Sequence, residues 1–154
     1  MDIRVRPAEE NDIANLLPLT RALHYASFRK DYSDWNVLKW ANWLKNCIEN
    51  DVMMCLMATD EVDLPLGFIT AVVFPAYWDN DIISCNETGM WVVPEHRHNG
   101  IGTALINGIN DWAKDKKCTT LIVGASQAME PKKTSIWYKK MGFELNERYF
   151  ARRI

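Results

Sequence analysis

Residues 92–105 are the segment of this 154-residue chain that is most informative about its fold. They read Val92-Val93-Pro94-Glu95-His96-Arg97-His98-Asn99-Gly100-Ile101-Gly102-Thr103-Ala104-Leu105. Its β-branched residues stop at Pro94, a polar loop follows, and two glycines open a segment with apolar residues at helical spacing. A helix N-terminus presents free backbone N–H groups and a partial positive charge. Gly100 and Gly102 remove the β-carbons that would keep an anion away from those amides. The residues therefore predict a strand, a loop and a helix that can bind a phosphate group.

Two known phosphate-binding motifs do not fit this stretch. A Walker A loop requires Lys after its second glycine, but Thr103 follows Gly102. A dinucleotide-binding G-x-G-x-x-G requires a third glycine where Leu105 stands. A tight glycine turn without a ligand is the remaining alternative on these residues alone.

Two blocks of the sequence resemble the GNAT acetyltransferases. Arg97-x-x-Gly100-x-Gly102 matches the R/Q-x-x-G-x-G/A signature of that superfamily, and Ile136-Trp137-Tyr138-Lys139-Lys140-Met141-Gly142-Phe143 is similar to its Y-x-x-x-G-F segment. The order of the predicted elements agrees over nearly the whole chain. The closing Arg152-Arg153-Ile154 is similar to small, often phage-encoded, members. The chain is identified as a member of the superfamily on this resemblance.

The resemblance implies acetyl-CoA as the acetyl donor. The backbone of Met90, Trp91 and Val92 would pair with the pantetheine arm as if it were another strand, with the fourth and fifth strands splayed apart to admit it. Gly89 fits a bulge or a close backbone approach there. The pyrophosphate would be held by the loop and the first helical turn, which comprise Arg97, His98, Asn99, Gly100, Ile101, Gly102 and Thr103.

The sequence departs from the family just before the second block. Many relatives carry Asn seven residues before the helix Tyr and Ala three residues after that Asn. Pro131 and Thr134 occupy these positions here. The Asn normally helps to hold pantetheine, and Gln127 or Ser135 is a candidate substitute.

The resemblance also implies the catalytic residues. Tyr138 matches the general acid that protonates the CoA sulfur, and a phenol is protonated at pH 7. Glu87 lies on the fourth predicted strand, near where some members keep a basic carboxylate, although a one-residue slip would send it to the other face. Proton transfer through water and His24 are the alternatives for the base.

The predicted function is acetyl transfer from acetyl-CoA to a primary amine by direct attack in a ternary complex. A covalent enzyme intermediate is not expected, because no Cys stands beside an obvious His. The acceptor is a small-molecule or peptide amine, and a homodimer is compatible with this function. The alternative is a catalytically weak CoA-binding or protein-interaction module on the same fold.

Composition excludes several other classes. The net charge of −2 argues against a nucleic-acid binder, and no apolar run approaches the ~20 residues of a membrane span. No apolar segment follows the N-terminus as in a secretory signal. The cysteines lack metal-ligand spacing, so no metal is expected, and apolar neighbours predict that Cys47, Cys55 and Cys85 are buried. A cytoplasmic location is the simplest expectation.

The expected fold is a single α/β (α+β) domain over residues 1–154. We predict a mixed, mostly antiparallel sheet of six to seven strands with about four helices on its faces. The predicted strands cover residues 3–6, 52–58, 66–74, 85–93, 121–124, 143–145 and 149–154. Pro18 predicts a break in the first helix near Leu17, and Ser33 is the predicted N-cap of the second helix. The aromatic turn at 75–81 is expected to pack on that helix.

Overall fold

A computed structural model of the chain describes residues 2–154, which form a mixed α/β fold with one sheet. The sheet order is β1-β2-β3-β4-β5, with antiparallel pairing from β1 to β4 and parallel pairing of β4 with β5. The elements are β1 Arg4–Pro7, α1 Ile13–Ala26, α2 Val37–Glu49, β2 Met53–Thr59, β3 Pro65–Ala76, β4 Asp79–Val92, α3 Ile101–Asp115, β5 Thr120–Ile122 and α4 Pro131–Lys140. The predicted mixed, mostly antiparallel sheet with four helices is confirmed, and the prediction of six to seven strands is wrong.

The two missing strands are those predicted at residues 143–145 and 149–154. Within the described chain, no residue after Gly142 belongs to a helix or a strand. Tyr149 and Phe150 are 86% and 93% exposed. A strand needs a neighbouring edge for its hydrogen bonds, and β5 offers an edge of only three residues. The alternating pattern of the tail therefore finds no partner within its own chain.

The sheet is covered on both faces, and alternate residues of its strands point to different layers. Leu56 and Ala58 of β2 pack in one cluster with residues of α3 and α4. Cys55 and Met57 pack in the other cluster with residues of α1 and α2. This explains the almost continuous apolar run of β2, which is buried from Cys55 through Thr59. Cys47, Cys55 and Cys85 are buried free thiols, as predicted.

Helix α1 continues through Pro18 without the predicted break. A proline in a helix interior costs about 3 kcal/mol, because it removes one hydrogen bond and crowds the preceding turn. Leu16 and Leu23 lie on either side of Pro18 and are both buried in the same apolar cluster. Burial of each leucine contributes a comparable free energy, about 1.5–3 kcal/mol. Tertiary packing on both sides therefore outweighs the local cost of the proline.

Helix α2 begins three residues later than a Ser33 cap predicts. The Asn36 side chain accepts a hydrogen bond from the Lys39 amide at 3.0 Å and caps the helix. Ser33 instead lies in the preceding turn, where its carbonyl oxygen accepts from His24 Nε2 at 2.7 Å. That contact holds residue 33 outside the helix.

Replacement of this cap gives a test of the helix start. We expect Asn36→Ala to lower the free energy of unfolding by about 1 kcal/mol, because one amide of the first turn loses its acceptor. In a chain of this size the melting temperature would fall by about 2–4 °C. Ser33→Ala is the matched control, since the His24 contact uses only the backbone of residue 33. A larger loss in Ser33→Ala than in Asn36→Ala would contradict this assignment.

Strands β3 and β4 form a long hairpin whose turn consists of Tyr77 and Trp78 alone. Strand β4 thus begins at Asp79, six residues earlier than predicted. The two aromatic rings contact each other edge to face at 4.8 Å and are 95% and 67% exposed. The expectation that they pack on α2 is therefore wrong. Among the helices of residues 2–154, none has the length and apolar character needed to cross a membrane.

Candidate active site between strands β4 and β5

Strand β4 loses its partner on one side halfway along its length. It pairs with β3 up to Val92, but its pairing with β5 stops at Asn86 and Ile122. Beyond that point the β5-facing edge of β4 is open. A register shift places one extra residue, Thr88, between Glu87 and Gly89, so a bulge lies directly beside Gly89. Bulges often redirect side chains beside active sites.

The open edge contains the backbone that was predicted to pair with pantetheine, residues 90–92. From Glu87 to Val92 it extends over about 17 Å at ~3.4 Å per residue. Loop residues 93–100 follow immediately and lead into α3. The open edge and the loop that was predicted to bind an anion are therefore continuous along the chain.

The loop before α3 adopts the backbone shape expected of an anion cradle. His98 and Gly100 both have positive φ angles, 69° and 81°, and successive amides near left-handed residues form concave sites for anions. Gly100 is the N-cap of α3, and no side chain accepts a hydrogen bond from the first helical turn. The amides of Ile101, Gly102 and Thr103 thus remain free to donate to a ligand.

Arg97 folds back onto the strand that precedes the loop. Its Nε donates to the Val92 carbonyl oxygen at 3.1 Å, and its guanidinium lies 4.6 Å from the centre of the Trp91 ring. Arg97 therefore joins the end of β4 to the loop. In this arrangement its side chain fixes the loop, and the guanidinium lies over Trp91.

Gly102 and Thr103 face α4. A β-carbon on Gly102 would lie 3.3 Å from the Trp137 ring, and Thr103 Oγ1 accepts from Trp137 Nε1 at 3.2 Å. The small residue at 102 therefore permits close packing of α3 against α4, in addition to leaving space around the amides of the first helical turn. This second role was not apparent from the motif.

Glu87 and Tyr138 bond to the same residue, Gly124, in the gap between β4 and β5. Glu87 Oε2 accepts from the Gly124 amide at 3.2 Å, and the Tyr138 hydroxyl donates to the Gly124 carbonyl oxygen at 3.2 Å. Strand β5 ends at Ile122, two residues before this contact and earlier than the predicted end at Gly124. The Gly124 amide bonds to the carboxylate instead of to a strand neighbour.

Burial shifts the acidity of both groups. It raises the pKa of Glu87 to about 7, and the Gly124 amide and the Arg29 guanidinium oppose this rise. Burial also raises the pKa of Tyr138, and the nearby Glu87 carboxylate adds to the effect. Near neutral pH Glu87 can therefore take up or release a proton, and Tyr138 remains a proton donor.

His24, the alternative base, lies elsewhere and has both ring nitrogens in use. Nε2 bonds to the Ser33 carbonyl oxygen at 2.7 Å, and Nδ1 faces Trp40 Nε1 at 3.4 Å. The tautomer with its proton on Nε2 satisfies both contacts. His24 is buried and holds α1 against the turn before α2.

The residues that replace the family's Asn and Ala lie at the start of α4. Pro131 is the first residue of the helix, where a missing amide has no cost. The Thr134 hydroxyl donates to the Met129 carbonyl oxygen at 3.4 Å. Of the two candidate substitutes, Gln127 is exposed in the loop and Ser135 is partly buried on α4.

Three residues of this region were not singled out from the sequence. Gly124 joins Glu87 to Tyr138, and Thr88 forms the bulge. Arg29, in the 3-10 turn Phe28–Asp31, donates from Nη2 to the Thr88 carbonyl oxygen at 2.7 Å. A single arginine in a turn has no distinctive sequence pattern. Arg29 is identified only by its position in the folded chain, beside Thr88.

A family model described as an acetyltransferase (GNAT) domain matches residues 51–145 of the chain. This range covers well over half of the sequence and includes the open strand edge, the loop and α4. The chain belongs to the GNAT acetyltransferase family, as the resemblance predicted.

Curated relatives match a shorter part of the chain. Aminoglycoside N(6')-acetyltransferase type 1 of Acinetobacter baumannii is 34% identical over 68 residues, which cover 43% of this chain and 45% of the relative. The Acinetobacter haemolyticus protein of the same name is 32% identical over 68 residues, with 43% and 46% coverage. The matched part thus spans less than half the length of either relative.

Solved structures with this fold cover the whole chain. The aminoglycoside acetyltransferase AAC(6')-Iy, in complex with a bisubstrate analogue named CoA-S-monomethyl-acetylneamine, superposes with a TM-score of 0.81 at 18% identity, over 100% of this chain and 99% of that one. AAC(6')-Ih of Acinetobacter baumannii superposes with a TM-score of 0.76 at 22% identity and 99% coverage of both chains. These similarities establish the fold.

Proposed function

We propose that this chain transfers an acetyl group from acetyl-CoA to a primary amine by direct attack in a ternary complex. The observation that carries the proposal is the convergence of Glu87 and Tyr138 on Gly124, at the point where β4 and β5 part. One group can accept a proton near neutral pH and the other can donate one. Membership of an acetyltransferase family and the names of the curated relatives support the same reaction.

The residues around the gap fit acetyl-CoA. The open edge at Met90, Trp91 and Val92 offers backbone groups to the pantetheine arm, apart from the Val92 carbonyl oxygen, which accepts from Arg97. The loop formed by residues 97–100 and the first turn of α3 offer amides to the pyrophosphate. Acetyl-CoA supplies the acetyl group as an activated thioester. We further propose that residues 1–154 act as one domain.

The proposed proton transfers involve two side chains. The carboxylate of Glu87 takes a proton from the attacking amine, directly or through a water molecule. The Tyr138 hydroxyl gives its proton to the departing sulfur, after its O–H bond has rotated away from the Gly124 carbonyl oxygen. The bond from the amine nitrogen to the acetyl carbon forms, and the bond from that carbon to sulfur breaks. Glu87 then releases its proton to solvent, and Tyr138 regains one from solvent, which restores both groups.

Release of free CoA tests this reaction. The purified chain should release CoA from acetyl-CoA at a rate that depends on an added amine, and mass spectrometry should find that amine about 42 Da heavier, because an acetyl group replaces one hydrogen. The panel should include aminoglycosides, amino acids and peptide amines. A well-folded protein that binds acetyl-CoA and acetylates no member of such a panel would favour the weak CoA-binding module instead.

Substitution of Gly102 tests the CoA site. We expect Gly102→Val to weaken CoA binding at least tenfold in a calorimetric titration. A branched side chain at this position meets the Trp137 ring and must displace the first turn of α3, whose free amides make the charge-assisted bonds. Ala104→Val is the matched control, since it adds valine to the same helix beyond the free amides. Equal CoA affinities of Gly102→Val and the wild type would contradict the site.

A protein-interaction role is a second candidate. The exposed aromatic pairs Tyr77–Trp78 and Tyr149–Phe150 support association, either with another protein or between two copies. Light scattering over a range of concentrations measures self-association, and a monomer at all concentrations would remove the homodimer.

The four free cysteines support a cytoplasmic location, where thiols stay reduced.

A further inference from the structure

An open cavity of about 280 Å³ lies between α1 and α2, beside the bulge of β4. Its lining residues are His24, Phe28, Arg29, Tyr32, Ser33 and Trp40. Three of them are aromatic and none carries a carboxylate. A pocket with apolar walls and one placed charge is typical of a small-molecule site. We call it the Arg29 pocket.

Arg29 brings a positive charge into this cavity. Its guanidinium donates to two neutral acceptors, the Thr88 carbonyl oxygen at 2.7 Å and Ser27 Oγ at 3.2 Å. Among the described residues, no carboxylate lies within salt-bridge distance of it, although it is partly buried. A guanidinium has five N–H donors, so donors remain for a further partner. The Glu87 carboxylate attracts the guanidinium from beyond salt-bridge distance, so Arg29 has no direct ion pair. An anionic ligand in contact with the guanidinium would offset the cost of desolvating it.

The guanidinium is also held in place. Its carbon atom lies 5.2 Å from the centre of the Phe28 ring and 6.0 Å from that of the Trp40 ring. The bond to Thr88 fixes it to β4. A receptor group fixed before binding loses little freedom when the ligand arrives. A planar, rigid guanidinium is suited to bind a carboxylate through two hydrogen bonds.

A second arginine adds positive charge at the rim. Arg153 of the tail donates to the Asp31 carbonyl oxygen, and its guanidinium lies 5.8 Å from the centre of the Tyr32 ring. Tyr32 lines the cavity. The local charge therefore opposes the overall negative balance of the chain, which by itself weakly favours a cationic acceptor.

We propose that the Arg29 pocket binds the acidic end of the amine acceptor, which is a carboxylate attached to an apolar or aromatic body. This inference rests on the proposed acetyl transfer, since it names the substrate class of the same site. Arg29 bonds to Thr88, the residue next to Glu87. A carboxylate bound there leaves the amine of the same molecule close to the middle of β4, where Glu87 and Tyr138 both bond to Gly124. Polycationic acceptors such as aminoglycosides lack a group for Arg29.

The test is binding of a matched pair of acetylated products. N-acetyl-L-phenylalanine carries the carboxylate, and N-acetyl-L-phenylalaninamide replaces it with a neutral amide of similar size. Calorimetric titration of the wild-type protein, with and without CoA, should show at least tenfold tighter binding of the carboxylate, as a charge-assisted pair provides. Equal binding of the two probes in both conditions would overturn the proposal.

Two variants assign the preference to Arg29. Arg29→Gln should reduce the preference for the carboxylate to less than threefold. Arg21→Gln is the matched control, because Arg21 also lies over aromatic rings, those of Tyr25 and Trp35, but does not line the cavity. It should keep the full preference. Loss of the preference in Arg21→Gln alone would overturn the assignment. If Arg29→Gln fails to fold, the wild-type comparison of the two probes still decides.

The readout separates this inference from the proposed function. Probe binding does not require acetyl transfer, so a preference for the carboxylate without any CoA release would leave the pocket standing and remove only the transferase activity. The reverse outcome is that the protein acetylates aminoglycosides but shows no preference for the carboxylate probe. In that case the transferase would stand and the acidic acceptor would be excluded.

Discussion

Tyr138→Phe should lower kcat for acetyl transfer by roughly 10²–10⁴-fold, the range found for removal of a general acid. Phenylalanine keeps the ring in its buried place between Trp137 and Phe143, so only the proton donor is lost. The affinity for CoA should change by less than about threefold, because the hydroxyl bonds to Gly124 and not to the loop before α3. A fall in kcat without a change in binding is the signature of an interaction made in the transition state.

Tyr77→Phe is the matched control for this variant. It removes the same hydroxyl from a residue that is 95% exposed at the tip of the β3–β4 hairpin. Its kcat should equal that of the wild type. If Tyr138→Phe retained a rate within twofold of the wild type, Tyr138 would have no part in proton transfer. The sulfur would then take its proton from water.

The candidate site shows what sequence reasoning can and cannot supply. The strand, loop and helix at residues 92–105 were predictable because the stop at Pro94 and the two glycines act locally. The pairing of Glu87 with Tyr138 was predictable only through the resemblance, since the two residues are far apart in sequence. Gly124, which bonds to both residues, has no sequence pattern that would identify it, because both bonds use its backbone N–H and C=O groups.

The errors in the fold have a common origin. Pro18, Ser33 and the tail at 143–154 were interpreted from local preference, and each outcome depends on distant contacts. Packing of Leu16 and Leu23 keeps α1 intact, and the bond from His24 to Ser33 shifts the start of α2. The tail has the alternation of a strand but lacks a neighbouring edge. Periodicity predicts which segments can form a strand, and the availability of a partner decides which segments do.

Glu87→Gln is expected to remove the ascending limb of the pH profile. In the wild type, the carboxylate accepts a proton only when it is ionised, and its pKa is raised to about 7 by burial. The value of kcat/KM should therefore rise with pH and level off above about pH 8, one unit above this pKa. Glutamine preserves the size of the side chain and an oxygen for the Gly124 amide, but it cannot accept the proton. We expect the variant to be at least 10²-fold slower at pH 8.

Three charged or titratable groups bear on this profile. Arg29 attracts the Glu87 carboxylate and opposes the rise of its pKa, while Tyr138 stays protonated throughout the range. Glu95→Gln is the matched control, because Glu95 is exposed in the turn after β4. Glu95→Gln should keep both the ascending limb of the pH profile and the wild-type rate. Persistence of the limb in Glu87→Gln would assign it to another group, such as the amine of the acceptor.

The same pKa predicts an effect of Glu87 on stability with the opposite sign to that of most carboxylates. Between its ordinary value of 4.5 and about 7, the folded chain holds a proton on Glu87 that the unfolded chain has lost. The free energy of unfolding therefore falls as pH rises through this window, by about 3 kcal/mol in total from this group. Glu87→Gln has no charge to bury and should be more stable than the wild type at pH 8, with little difference near pH 4. Urea unfolding at the two pH values measures both differences. A variant that is less stable than the wild type at pH 8 would show that ionisation of Glu87 does not destabilise the folded chain. The pKa of Glu87 would then lie near its ordinary value, and the ascending limb would move to lower pH.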